Sequence, residues 1–205
     1  MNRLRTFIAV DPGKTIRARL VALQENLARA GSAMKWVEPE NLHVTLLFLG
    51  EVDNRDVPDV CRAVSACCRE IEAFEMMVGG VHCFGSPRRP RTVWAGLSEG
   101  GPEMTALHAA LEQPLLDLGC YRREIRPFTP HITLGRVKGE RSDDALTAAL
   151  PKYETWQGGA IDVREVLVMS SELRHEGPMY AVLSRGKLRA PGKRSPQSDT
   201  MEEEE

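Results

Sequence analysis

The feature that most constrains this chain is a short stretch written twice. His43-Val44-Thr45-Leu46 opens an apolar run that ends at Leu49, and His131-Ile132-Thr133-Leu134 follows Thr129-Pro130. Both read His, β-branched residue, Thr, Leu. Both predict a strand, because β-branched and apolar residues fit a pleated, half-buried surface. Side chains alternate across a strand, so each His shares a face with its Thr, about 6–7 Å away. The residues between them point into the core. Each stretch therefore offers an imidazole and a hydroxyl side by side on a fixed platform. Two platforms brought together would surround one small volume with two imidazoles and two hydroxyls. Such a set suits acid–base chemistry at a phosphate, one imidazole giving a proton while the other takes one. A single His-x-Thr in a strand is usually structural. Here two of only five His occupy equivalent places in similar strands.

The rest of the chain arranges itself around these strands. Residues 4–10 predict a strand ended by Asp11-Pro12-Gly13. Ile16, Leu20, Leu23 and Leu27 recur at helical spacing and predict a helix over residues 15–30, stopped by Gly31. Residues 35–37 are extended, Glu38-Pro39-Glu40-Asn41 turns, and residues 42–49 form the first motif strand. A helix over 56–71 and strands over 74–84 and 91–97 follow, the latter two joined by the arginine-rich turn 85–90, which reads as a solvated loop, with a patch that attracts RNA phosphates as the alternative. Gly101-Pro102 opens another helix, with Met104, Leu107, Leu111 and Leu115 on one side; Pro114 should bend or interrupt it. The second motif strand spans 131–137. A short helix over 143–150 and closing strands over 160–169 and 179–184 complete the pattern. Strands and helices are mixed, and each half carries one motif, so the expected class is α+β with two lobes.

The 205 residues suffice for one ordinary domain or two intimate lobes. The expected folded unit is residues 1–189. Residues 190–205 hold Pro, Ser, charge and four terminal Glu, and read as a disordered tail. A net charge of −2 argues against a protein that coats RNA by electrostatics alone, so nucleic-acid contact should be local, at an end or a single phosphate. The five Cys are odd in number and none has zinc-ligand spacing with His, which predicts reduced thiols in a cytoplasmic protein. The sequence has neither a secretory start nor an apolar run that could cross a bilayer.

The paired motifs resemble the signature of the 2H phosphoesterase superfamily, which is named for two His-x-Thr-x motifs. Leu4-Arg5-Thr6-Phe7-Ile8-Ala9-Val10, Lys35-Trp36-Val37, and Asn41-Leu42-His43 running into Phe48-Leu49-Gly50 are similar to its RNA 2′,3′-cyclic phosphodiesterase branch. That branch is also called the bacterial 2′–5′ RNA ligase family. Val93-Trp94-Ala95-Gly96 and Gly177-Pro178-Met179-Tyr180 resemble it too. The resemblance spans residues 4–188. It implies two pseudo-symmetric lobes, each a largely antiparallel sheet with helices outside, and a central cleft holding both motifs. It also implies that His43 protonates the 3′ oxygen of the substrate and that His131 activates water.

Opening a 2′,3′-cyclic phosphate by water needs a base for the water, an acid for the departing ribose oxygen, and donors for the non-bridging oxygens. Imidazole titrates near pH 6.5, so a pair can hold one neutral and one protonated member near neutrality. Thr45 and Thr133 can donate hydroxyl hydrogen bonds to the phosphate. No metal or other cofactor is expected. The family carries an Arg shortly after the second motif that contacts phosphate, and Arg136 matches by position; its planar fork suits the task. Arg136 is five residues after His131, so a regular strand would turn it to the opposite face. It can help only if Gly135 permits a bulge, or if its side chain reaches round the strand end. Phe48 and Trp36 are candidates to stack a nucleobase, although strand parity puts Phe48 in the core. His82, His108 and His175 read as structural. The expected activity is metal-free hydrolysis of RNA cyclic phosphate ends by a monomer. Reversible 2′–5′ joining at the same site is an alternative. So is a non-catalytic module that binds phosphorylated RNA ends, a view that the presence of both His weakens.

Overall fold

The computed structural model describes residues 3–30, 34–86, 89–138, 144–174 and 177–191. Strand β1 (Arg3–Val10) leads into helix α1 (Gly13–Arg29), then the short β2 (Met34–Trp36) and β3 (Val44–Asp53). Helix α2 (Val57–Glu70), the hairpin β4 (Phe74–Ser86) and β5 (Arg89–Glu99), and α3 (Gly101–Asp117) follow. Next come β6 (Ile132–Val137), α4 (Asp144–Ala149), β7 (Gln157–Val163), β8 (Glu165–Arg174) and β9 (Gly177–Lys187). The strands form one curled sheet in the order β7-β4-β5-β6-β3-β1-β8-β9, with β2 added to β6. Every ladder between these strands is antiparallel.

This sheet divides at its centre. β7-β4-β5-β6 make one half and β3-β1-β8-β9 the other, and they meet at a single residue pair, Val44 on β3 against Ile132 on β6. Each motif strand is therefore the innermost strand of its half. The helices pack against the sheet and bury the apolar stripes that the spacing predicted. α1 turns Ile16, Leu20, Leu23 and Leu27 onto the half that contains β6 and β7. α2 turns Val60, Val64 and Cys68 onto β8 and β9. α3 buries Met104, Leu107, Leu111 and Leu115 and packs against α2 and β3. Prolines open α2 and α3 in the first turn, where a missing N–H costs nothing.

One expectation is narrowed and one needs correction. Of bending or interruption at Pro114, interruption does not occur: α3 continues to Asp117. Proline at 114 deprives the Ala110 carbonyl of its helical donor, and the Cys67 thiol approaches that oxygen at 3.4 Å. Residues 160–169 are not one strand. They break at Arg164 into β7, which pairs β4 at one edge of the sheet, and β8, which pairs β1 in the other half. The stretch has no Gly or Pro to mark the break; the two partner strands lie too far apart in the sheet for one straight run to serve both. The chain is still tied in at Arg189, whose N–H donates to the Ile71 carbonyl and whose carbonyl accepts from Ala73 N–H, each at 2.8 Å. His175 and most of the expected tail lie outside the described residues, as do Pro87 and Arg88 of the arginine-rich turn. No helix among the described residues is long and apolar enough to cross a membrane.

Ile132 is wholly buried at the junction of the halves. Its replacement by Ala should cost about 2–5 kcal/mol through lost burial and the cavity left behind. Denaturant unfolding would show this as a lower midpoint with an unchanged slope; an unchanged midpoint would contradict the central role of the pair.

Candidate active site

Antiparallel pairing through Val44 and Ile132 runs the two motifs past each other in opposite directions. One step to either side, residue 43 stands across from 133 and residue 45 across from 131. Val44 and Ile132 point into the core at 0% exposure. His43, Thr45, His131 and Thr133 lie on the other face, partly buried. The duplicated stretch thus becomes one four-membered cluster, with each His diagonal to the other.

Both imidazoles are anchored in the same way. His43 Nδ1–H donates to the Asn41 carbonyl at 2.7 Å, and His131 Nδ1–H donates to the Thr129 carbonyl at 2.7 Å. A carbonyl can only accept, so Nδ1 carries the proton in each ring and Nε2 is left to exchange protons. His43 Nε2 lies 2.9 Å from Thr45 Oγ1 and accepts its hydrogen when neutral. Asn41 closes the short turn Pro39–Asn41, and its side-chain amide donates to the Pro178 carbonyl at 2.9 Å, fastening β9 to the first motif. Burial pushes the pKa of His43 below 6.5, and the positive charge of His131 adds to this; the Asn41 hydrogen bond and Asp11 oppose it. Burial also lowers His131, with a further push from the Arg136 charge and opposition from the Thr129 bond.

Arg136 and Phe48 owe their positions to two matching bulges. On β6, Thr133 pairs Trp94 and Gly135 pairs Val93, so Leu134 is an extra residue in the ladder. Arg136 then pairs Thr92, which shares a face with Trp94, and so returns to the face of Thr133. The carbonyl of Leu134, displaced from the ladder, accepts from Val37 N–H at 2.9 Å and from Gln24 Nε2 at 2.8 Å. On β3 the extra residue is Leu46, between Thr45 opposite Ala9 and Leu47 opposite Ile8. Phe48 is thereby returned to the face of Thr45. It is 56% exposed and packs beside Phe7 at 6.2 Å between ring centroids. The parity expectation that buried Phe48 in the core is wrong for this reason: a regular strand was counted where a bulge intervenes. Trp36, in contrast, packs into the core edge beside Gly135.

Aromatic rings flank both imidazoles. Phe7 and Tyr180 lie 5.0 and 5.4 Å from His43. Phe84 and Trp94 lie 5.0 and 5.4 Å from His131 and stack on each other at 5.1 Å. His82 faces Trp94 at 4.8 Å, outside the central cluster, and His108 on α3 stacks on Phe128 at 4.2 Å. The Trp94 indole N–H is buried without a hydrogen-bond partner among the described residues. Sequence reasoning gave no role to Asn41, Phe7, Tyr180 or Phe84. They come from four different elements, and only the cross-strand register gathers them. No group of His, Cys, Asp and Glu among the described residues is arranged to hold a metal ion. All five cysteines are free thiols.

The family model described as LigT like Phosphoesterase matches this chain twice, over residues 10–94 and 96–180, with one motif in each match. The RNA 2′,3′-cyclic phosphodiesterase of Methanothermobacter thermautotrophicus is 35% identical over 178 residues, covering 87% of this chain and 95% of its own length. That of Archaeoglobus fulgidus is 36% identical over 177 residues, covering 86% and 96%. Among solved structures, TT0787 of Thermus thermophilus superposes with a TM-score of 0.77 at 28% identity, covering 92% of this chain and all of that one. LigT of E. coli complexed with 3′-AMP superposes with a TM-score of 0.74 at 25% identity, covering 91% and 99%. A sheet built as two matching halves, a family match that occurs twice along the sequence, and relatives alike over nearly their whole length agree: the chain belongs to the LigT-like phosphoesterase family.

Proposed function

We propose that this protein hydrolyses RNA 2′,3′-cyclic phosphate ends to 2′-phosphates without a metal or cofactor, with His43 as acid and His131 as base. The observation that carries this is the pair of Nδ1-anchored imidazoles on crossing motif strands. With the cyclic phosphate between them, His131 Nε2 takes a proton from water as its oxygen attacks phosphorus. The P–O3′ bond breaks opposite the attack, and His43 Nε2 delivers a proton to O3′. Products are a 2′-phosphate and a free 3′-hydroxyl. Thr45 and Thr133 donate hydrogen bonds to the non-bridging oxygens, and the Arg136 guanidinium offsets the charge gathering there. The leaving oxygen belongs to the terminal ribose, so the attached base extends from the His43 side. Phe48 is the exposed ring on that side and suits stacking against the base. The proposed acting unit is a cytoplasmic monomer, residues 1–189, followed by a tail over 190–205.

The same site suits reversible 2′–5′ joining, in which a 5′-hydroxyl replaces water at His131. One observation favours it. Phe84 is 40% exposed and stacked on Trp94 beside His131, on the side where the nucleophile enters. Water has no use for an aromatic shelf, whereas an incoming nucleoside does. Adding an oligoribonucleotide with a 5′-hydroxyl to the cyclic-phosphate substrate should then yield a joined product alongside hydrolysis, and Phe84→Ala should lower the joined fraction.

His43→Ala and His131→Ala should each slow hydrolysis about 10²–10⁴-fold, whereas His82→Ala and His108→Ala should not. The assay is an oligoribonucleotide ending in a cyclic phosphate, incubated with EDTA and mapped for the product phosphate. Near-full activity in either motif variant, or loss of activity to EDTA, would falsify the mechanism.

The pH profile is a separate check. Both imidazoles titrate below 6.5 in the free protein. The protonated acid is therefore lost at lower pH than for a free imidazole, and the neutral base persists to lower pH. A plot of kcat/KM should be bell-shaped with its maximum on the acid side of pH 7. A maximum well above pH 7 contradicts the assignment of both limbs to these two residues.

A further inference from the structure

Beyond Phe48 the proposed base side continues into a cavity that catalysis does not use. It has a volume of about 210 Å³ and is lined by Arg5, Phe7, Phe48, Ser171 and Tyr180 among others. Its floor is β1, where Arg5, Phe7 and Ala9 alternate onto one face. Ala9 stands opposite Thr45 and Phe7 opposite Phe48, so Arg5 is the next residue outward on the same line. The step from Phe7 to Arg5 is about 7 Å. Gly50 also lines the cavity: its φ of +71° follows a second extra residue, Leu49, in the ladder, and the absence of a side chain leaves the space beside Phe48 open.

Arg5 is exposed, and among the described residues it makes no ion pair, although Glu51 lies opposite it in the ladder. Thr6 and Ser171, which also line the cavity, carry no charge. Tyr180 connects this place to the reaction centre. Its ring meets His43 edge-on, and its hydroxyl, whose pKa burial raises, feels the charges of both Arg5 and Arg136. Arg136, proposed above to meet the cleaved phosphate, and Arg5, which lines the cavity beyond Phe7, thus both lie within electrostatic reach of Tyr180. A terminal nucleoside stacked on Phe48 would carry its 5′ phosphate toward Arg5.

We infer that Arg5 binds the phosphate on the 5′ side of the terminal nucleoside and so makes the enzyme prefer RNA chain ends to nucleoside cyclic phosphates. The inference rests on the hydrolase proposed above and gives its site a second phosphate subsite. A guanidinium meets a phosphate through paired N–H donors, so the contact should lower KM and leave kcat alone. It reads phosphate and not the preceding nucleoside.

The test uses three substrates with the full-length protein: adenosine 2′,3′-cyclic phosphate, the same compound bearing a 5′-phosphate, and a diadenylate ending in a cyclic phosphate. The wild-type protein should turn over the second and third with kcat/KM about tenfold above the first, through KM. Arg5→Ala should collapse both advantages, and Arg5→Lys should restore part of them. Thermal unfolding of each variant confirms that it is folded. An advantage confined to the diadenylate, or one that survives Arg5→Ala, overturns the inference while the hydrolase stands. Failure of the wild-type protein to open any of the three overturns the hydrolase itself, and this inference with it.

Discussion

Everything distinctive in this molecule depends on one cross-strand pair. Val44 and Ile132 hold the two halves of the sheet together, and each is the residue just after a motif His. An antiparallel pair has a local two-fold axis, so whatever precedes and follows one member is repeated, reversed, around the other. That symmetry places each His across from the other motif's Thr. It also explains why the imidazoles have matching anchors, each to the carbonyl two residues upstream. Neither anchor needs a carboxylate, so both rings can lose their charge in a half-buried setting without leaving a buried anion behind.

The backbone keeps this symmetry further than the side chains do. Leu46 and Leu134 are equivalent bulges, and Phe48 and Arg136 are the equivalent residues that they return to the working face. One is an aromatic ring and the other a guanidinium. A symmetric frame thus carries an apolar surface on one flank and a fixed charge on the other, which gives the site a direction. The bulge on β6 persists because its displaced carbonyl is satisfied by Gln24 and Val37. Gln24 is itself a buried polar residue on α1, and this bond accounts for its place among Leu20, Leu23 and Leu27.

Much of this was legible in the sequence and some was not. The helices announced themselves through apolar spacing, and the motif strands through their repetition. His43 and His131 could be matched as a pair because the residues around them match. The side on which Phe48 falls was not legible, because one extra residue reverses parity and nothing in Leu46-Leu47 distinguishes a bulge from a regular strand. Arg136 raised the same difficulty, and Gly135 hinted at its resolution. The split at Arg164 was hidden in an unbroken run of strand-forming residues. Tyr180 and Phe84 stand far from the motifs in sequence, and only the ladder β3-β1-β8-β9 and its counterpart bring them near.

The turn at Arg164 also bears on how the protein is made. β7 and β8 are neighbours in sequence, yet they belong to different halves, and β1 waits for β8 and β9 to be covered. β4 likewise comes from the first matched stretch and completes the second half. β4 to β7 form one contiguous run, whereas the half that carries His43 joins β1 and β3 to β8 and β9 from the far end of the chain. During synthesis the first His is therefore exposed from residue 43 onward with no complete sheet around it, until the last strand has left the ribosome. The half that carries His43 closes only at the end of translation, and a break anywhere between the motifs would part β1 from β8 and β9.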